Sequence, residues 1–406
     1  MSQHTLISFL GNVPPQRGGE YRRTTYEWHQ QRFECSFLGL GLAQVMHVPR
    51  LRILGTAGSM WDVLAEHLGA DAQAWVDLSE AVRENRTTPE LLQTFENQLN
   101  QAQTQHHFEL RLIPYGYDEG NQVEILRALS EGIDSPGHEV TLDITHGFRH
   151  LPMLGFLSMM YLKSLGHASL RQILYGAFDA RKDDITPVVN LAGMMHIQEW
   201  IKCLDQFDKD GDYGIFGALL AREGIASNLL EEAAFLERIG NLSQARRKLD
   251  SFWQMEVAPQ TAASKMFLPL LRKRLEWRRS VQRSVWERKL AEQFLARKDY
   301  LRCVIFCYES RISAEVEAGA GDPNNYEFDR SEAEKRLEEF SRTQRLAPES
   351  ERNFYPLKFL RNQLAHGVRG QVMAENPVTR QTSGFVQSLV GNERKLRDWL
   401  AKVLKG

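Results

Sequence analysis

Glu139-Val140-Thr141-Leu142-Asp143-Ile144-Thr145-His146-Gly147-Phe148-Arg149-His150 passes from a strand pattern to a helix start through small and polar residues. Val140, Leu142 and Ile144 supply a β-rich apolar run, and residues 151–165 (LPMLGFLSMMYLKSL) supply an apolar helix directly after it. Between them sit Asp143, Thr145, His146, Gly147 and Arg149. In an open α/β sheet this is where ligands bind, outside the carboxyl ends of strands, with helix N-terminal N–H groups aimed at anions. Gly147 lets the backbone approach a phosphate, Arg149 suits a bidentate phosphate contact, and Thr145 and His146 can donate to ribose or phosphate oxygens. A buried, hydrogen-bonded turn would account for the same residues. A metal site on Asp143 and His146 is the weaker alternative, because it lacks a clear third ligand cluster.

Working outward, the same strand-then-glycine pattern recurs. Residues 6–10 form a short apolar strand ending in Gly11-Asn12 and a Pro14-Pro15 loop. Residues 21–28 are rich in β-formers and suit a hairpin with the segment that follows. Residues 51–54 lead into Gly55-Thr56-Ala57-Gly58-Ser59-Met60-Trp61-Asp62, a loop of phosphate-cradling type that opens a helix toward Leu68. A helix over 89–101 precedes a strand at 108–113, which ends in Pro114-Tyr115-Gly116. A strand over 172–178 passes through Gly176, and 186–190 is a last β segment. Five strands, most separated by helical stretches, predict one doubly wound α/β domain over residues 1–195, with loops at Gly11, Gly55, Pro114, Gly147 and Gly176 at one edge. No GxGxxG follows the first strand, which argues against a nicotinamide enzyme.

The chain has 406 residues, a formal net charge of -2 and 42% hydrophobic residues, enough for two globular domains. Near-neutral balance means that a nucleic-acid partner must be held by a local basic patch. Four cysteines give no disulfide framework; Cys303 and Cys307, one helical turn apart in an apolar run, read as reduced core residues. The N-terminal residues show no basic region followed by a long apolar one, and 151–165 is too short to span a bilayer, so a cytoplasmic protein without a membrane partner is expected.

After Trp200 the pattern turns helical, predicting an all-α region over 196–406. Residues 216–240, 242–253 and 265–317 read as amphipathic helix, 320–325 as a loop, Ser331 with Glu334 as a capping box, and Pro348 as a break. Residues 265–290 carry Lys265, Arg272, Lys273, Arg274, Arg278, Arg279, Arg283, Arg288 and Lys289 around Trp277 and Trp286. Such a stripe can track a phosphate backbone and stack bases, and it is equally the solvated face of a helix buried through Leu268, Leu271 and Leu275.

Residues 354–367 (FYPLKFLRNQLAHG) read as a helix buried through Leu357, Leu360, Leu364 and Val368, with Gly367 as its C-terminal cap. At about 100° per residue, Arg361 and His366 lie roughly 140° apart, so one straight helix does not pair them, whereas two copies about a two-fold axis can. Such a pair suits cleavage of RNA by its own 2'-hydroxyl. His366 would exchange protons, Arg361 would stabilise the phosphorane charge and Asn362 would orient either, with no metal required. A capped helix with a surface histidine is the plain alternative.

With Asp143-Ile144-Thr145-His146-Gly147, the GTxGSxWD stretch at 55–62, Gly11-Asn12 and the RNxxxH of 361–366 in this order, the chain resembles the CRISPR-associated CARF-HEPN ribonucleases of type III systems, the DxTHG family. The resemblance implies a Rossmann-like CARF domain followed by an all-α HEPN domain, in a homodimer or higher homo-oligomer. It implies that Gly11, Asn12, Gly55, Thr56, Ser59, Pro114, Gly116, Asp143, Thr145, His146, Gly147, Arg149 and Gly176 hold a cyclic oligoadenylate, with cyclic tetra-adenylate the first expectation. Ligand binding would then activate metal-independent cutting of single-stranded RNA at Arg361, Asn362 and His366 in antiviral defence. The symmetry of such a ligand suits a two-fold pocket, for which the apolar helix at 151–165 is a candidate dimer contact; core burial would explain that helix equally well. Two further readings stay open: a sensor whose helical domain binds RNA or protein without cutting, and slow cleavage of the ligand at the CARF site, where Thr145 and His146 could help.

Overall fold

The apolar runs of the first half become strands of one mixed eight-stranded sheet in the computed structural model, which describes residues 3–12, 23–102, 105–255, 261–343, 353–367 and 377–405. Pro14, Pro15, Tyr21, Pro348 and Val368 lie outside the described residues. The chain divides into two compact units, Met1–Met195 and His196–Gly406.

The strands are β1 (His4–Leu10), β2 (Thr24–Trp28), β3 (Gln31–Cys35), β4 (Arg50–Gly55), β5 (His107–Leu112), β6 (His138–Asp143), β7 (Ala168–Gly176) and β8 (Ile185–Asn190), in the order β3-β2-β8-β7-β6-β1-β4-β5. β5, β4, β1, β6 and β7 run parallel, so their carboxyl ends share one edge. The order of these five reverses at β1: the chain builds outward through β4 and β5, then returns to place β6 on the other side. That makes the β1–β6 boundary the topological switch point. β1, central, is buried throughout, as expected for a parallel strand covered on both faces.

The hairpin expected after residue 21 forms from β2 and β3, but far from β1: β2 pairs with β8, which runs antiparallel to β7, so the hairpin extends the sheet. The strand expected over 172–178 runs instead over Ala168–Gly176, and Phe178 opens a 3-10 turn. The helices of this unit are α1 (Leu38–Val45), α2 (Trp61–His67), α3 (Ala72–Arg83), α4 (Pro89–Ala102), α5 (Glu119–Ser130) and α6 (Leu151–Ser164). α6 buries Leu151, Gly155, Ser158, Met159 and Leu162 and exposes Met153, Leu157 and Tyr161, with Leu165 exposed at its C-cap.

The second unit is all helical, around a core that includes Trp200, Phe216, Trp277, Phe294, Tyr308 and Leu360. Three sequence expectations are corrected here. The helix over 216–240 is broken, because Gly217–Arg222 and Asn228–Arg238 are separate helices after a 3-10 turn at Tyr213–Phe216. The helix over 265–317 is three helices, Ala262–Arg274, Arg283–Ala296 and Tyr300–Ala318, interrupted by a 3-10 turn at Glu276–Arg279 and by Lys298, whose φ is +63°. Ser331 does not cap: the helix Asp329–Thr343 starts before it, and Glu334 is used elsewhere.

Candidate functional site

Two groups of the expected residues are placed by this scaffold, one in each unit. At the sheet edge, parallel register brings the ends of the core strands level, with Leu10 opposite Gly55, Gly55 opposite Leu112, and Ser8 opposite Asp143. Asp143 is fully buried and both its oxygens are engaged: Ser8 Oγ donates to Oδ2 at 2.6 Å and the Thr145 N–H donates to Oδ1 at 3.0 Å. The carboxylate thus ties the loop to the switch point. Thr145 Oγ1 accepts the Gly176 N–H at 2.8 Å, which fastens the same loop to β7.

His146 turns inward as well. Its Nε2 accepts the Leu38 N–H at 3.3 Å, and its ring stacks on Phe37 at 5.3 Å. Burial holds its pKa below the ordinary imidazole value, despite Asp143 nearby, so the neutral ring caps the N-terminus of α1, whose N-cap residue Phe37 offers no side-chain acceptor. α1 comes this close because Gly39 lies over Ser8: a Cβ there would sit 2.6 Å from Ser8 Oγ.

The loop after β4 is equally self-contained. Thr56 and Ser59 are buried; the Thr56 N–H donates to Ser59 Oγ at 2.9 Å, and Ser59 Oγ donates to the Leu10 carbonyl at 2.9 Å. Met60 N–H donates to the Gly11 carbonyl at 3.0 Å, stitching this loop to the end of β1. Both hydroxyls therefore build the loop and point away from solvent. Gly55 and Gly176 are packing glycines, since an added Cβ would meet Trp61 at 2.6 Å in one case and Tyr26 at 2.8 Å in the other.

The helix N-terminus differs from expectation too. Leu151 N–H bonds Phe148 O at 3.0 Å, Pro152 has no N–H, and Met153 N–H bonds His150 O at 3.1 Å. The first turn of α6 thus directs these donors into its own loop. Arg149 is exposed beside Gly147 and Phe148, and Asn12 is exposed at the end of β1. Gly147, at φ +97°, fits the turn because a Cβ would lie 3.0 Å from Phe9 Cβ. Pro114 and Gly116 lie in the loop after β5, partly buried, with Gly116 packed against the His150 ring.

Sequence reading missed the aromatic residues of these loops. Tyr117 is 84% exposed and stacks parallel on Tyr115, 5.5 Å away with 6° between planes; Phe148 lies 5.6 Å from Tyr115 and stacks on His150 at 5.9 Å. The tyrosines and Phe148 come from loops after different strands, so no periodicity joins them.

In the helical unit, the helix Phe354–Ala365 buries Leu357 and Leu360 and ends with His366 as its C-cap, where Gly367 adopts φ +78°. The His366 N–H bonds Asn362 O at 3.1 Å, so the helical bonding continues up to His366, and its side chain is exposed. Arg361 places its guanidinium 4.6 Å from the centre of the Tyr308 ring and donates to Asn362 Oδ1 from Nε at 3.3 Å and Nη2 at 3.1 Å. Tyr308 in turn donates to Glu334 Oε1 at 2.5 Å, which also pairs with Lys358 at 2.9 Å. Burial pushes the Glu334 carboxyl up, but the Tyr308 hydroxyl and Lys358 outweigh it, and the group sits below the ordinary value.

The basic stripe of 265–290 is resolved in favour of a helix face. Trp277 and Trp286 are buried in the core and cannot stack bases, Arg274 grips Asp208 with two bonds of 2.6 Å, Arg278 pairs with Asp250, and Arg283 bonds Glu287 at 2.8 Å. Cys303 and Cys307 are buried free thiols; burial raises both pKa values, that of Cys307 to about 12. Among the described residues no group of three or more His, Cys, Asp or Glu side chains is arranged to hold a metal ion, and no helix is long and apolar enough to cross a membrane.

The switch-point loop of this doubly wound sheet carries Asp143-Ile144-Thr145-His146-Gly147. Residues 5–179 match the family model described as CRISPR system endoribonuclease Csx1, CARF domain. The chain is also 25% identical over 261 residues to CRISPR-associated protein MJ1674 of Methanocaldococcus jannaschii, a match covering 57% of this chain and 41% of that one. The chain thus spans less than half the length of that relative. The structure of Enterococcus italicus Csm6 bound to cyclic hexa-2'-fluoro-hexa-dAMP aligns with 100% of this chain and 98% of that chain, at 13% identity and a TM-score of 0.35.

Proposed function

We propose that the chain is a single-stranded RNA endonuclease switched on by a cyclic oligoadenylate. The observation that carries this reading is a conjunction: a CARF domain of the Csx1 family shares one chain with a helical unit that presents Arg361, Asn362 and His366 at the end of a single helix. A CARF edge with Arg149 and Asn12 exposed suits a ligand bearing phosphates and ribose hydroxyls, and the closed first turn of α6 gives that arginine the anion-binding part. In the helical unit, His366 takes the proton from a 2'-hydroxyl or returns one to the departing 5'-oxygen. Arg361, held over Tyr308, stabilises the charge of the pentacoordinate phosphate, leaving a 2',3'-cyclic phosphate and a 5'-hydroxyl. Two chains about a two-fold axis supply the pair of Arg–His sets that one helix cannot bring together.

The test is cleavage of a labelled single-stranded RNA with EDTA present, with and without cyclic tetra-adenylate, beside His366→Ala. Ligand-dependent cutting by the wild type alone, with cyclic-phosphate ends, is the expected result. Ligand binding without cutting would turn the reading into a sensor with a non-catalytic helical domain, and cutting by His366→Ala would remove the histidine from its role. Intact ligand after prolonged incubation is expected; its breakdown would add a slow activity at the CARF edge.

A further inference from the structure

We propose that Tyr115, Tyr117 and Phe148 form a platform on which the CARF ligand stacks its bases; this rests on the functional reading above. Three observations converge. First, exposing aromatic rings to water is costly, yet Tyr117 is 84% and Phe148 40% exposed, and both lie in loops at the carboxyl edge of the parallel strands. Second, the rings are ordered before any base arrives. Tyr115 is the inner ring, its hydroxyl donating to Asn85 Oδ1 at 2.5 Å, with Tyr117 parallel to it at 5.5 Å; Phe148 leans on it from the other loop and rests on His150. Third, Phe148 is the direct neighbour of Arg149, so one loop offers a flat apolar face and a phosphate-binding cation side by side, the two chemistries that alternate along an oligonucleotide.

The self-contained loops strengthen the assignment. Asp143, Thr56 and Ser59 are consumed by internal hydrogen bonds, so the edge has few side chains left to read a base by its polar rim. Stacking needs no such rim, because every nucleobase has a π face. The chemical class of ligand is therefore a base-bearing oligonucleotide, held at its bases by rings and at its phosphates by Arg149.

The experiment uses the full chain and cyclic tetra-adenylate, with cyclic hexa-adenylate as a second ring size, titrated calorimetrically against wild type, Tyr117→Ala, Phe148→Ala and the ring-preserving Tyr117→Phe. Each alanine variant is expected to weaken binding about 5- to 150-fold, the range for loss of one stacked base, while Tyr117→Phe stays within about twofold. Cyclic tetra-adenylate carrying one 2-aminopurine should be quenched on the wild type and less so on Tyr117→Ala. Because Tyr117 contributes little to the core, its thermal unfolding should match the wild type, separating lost stacking from lost fold. Wild-type affinity in both alanine variants would overturn the platform while leaving the functional reading intact. Failure of the wild type to bind either ring would overturn the functional reading, and the platform with it.

Discussion

Ser8 and Asp143, the residues paired where β1 meets β6, are joined by a buried hydrogen bond of 2.6 Å at the point where the sheet changes direction. Removing one partner strands the other in a site without water access. Ser8→Ala is expected to cost about 1–3 kcal/mol and Asp143→Ala more, because the latter also releases the Thr145 N–H. Urea unfolding measures both; equal stability of Asp143→Ala and wild type would show that the carboxylate does not anchor the loop.

The caps and clamps of the α/β unit set its pH response. His146, His4 and His138 all have pKa values lowered below the ordinary 6.5, in each case first by burial. A depressed histidine stabilises above its unfolded value and loses that contribution as the pH falls beneath it. The unit should therefore weaken on acidification below about 6.5. His146→Gln, which keeps an acceptor for Leu38, should weaken less between pH 6.5 and 5.5; identical slopes in urea unfolding would remove His146 from this response.

The helical unit carries a group of opposite sign. Glu237 is buried, and desolvation raises its pKa to about 7 although Arg297 and Arg302 pull the other way; its Oε2 has no hydrogen-bond partner among the described residues. Its contribution is complete below about 4.5 and is lost as the pH rises through 7, on the order of 3 kcal/mol. Glu237→Gln should gain stability over the wild type at pH 8 and show no gain at pH 4.5. A variant equally destabilised at both values would contradict this.

On the nuclease reading proposed above, Tyr308 should matter to RNA cleavage only through Arg361. Tyr308→Phe keeps the ring under the guanidinium and is expected to retain cleavage within about threefold, whereas Tyr308→Leu should lose about tenfold in kcat with KM little changed. In an Arg361→Ala background, Tyr308→Leu should cause no further loss. An additive loss would mean that the ring acts through the fold, where it stacks on Phe354 at 5.0 Å.

How far the sequence could be read follows from what each signal depends on. The passage through Asp143 to Gly147, most of the β segments and the cap at Gly367 were legible because alternation, apolar runs and glycine act over a few residues. Orientation was less legible. Thr56, Ser59 and His146 have the right chemistry for a ligand, but the structure turns them inward, because Leu10, Thr56 and Leu38 supply backbone partners that lie next to them only after folding. The Lys265–Leu290 stretch left two readings open for the same reason: its tryptophans interleave with cations in one dimension and separate into core and surface in three. The aromatic group of Tyr115, Tyr117 and Phe148 was invisible for the converse reason, being assembled from two loops.

The path from β1 through the distant hairpin and back has a consequence for biosynthesis. Ser8 cannot find Asp143 until 135 further residues have been made, which at ribosomal rates takes about 7–27 s. Through that interval the most apolar strand of the sheet waits with one side unpaired, and the switch-point crevice does not exist. The crevice at this edge thus forms only once most of the first unit has left the ribosome, so it arrives with the finished sheet rather than strand by strand.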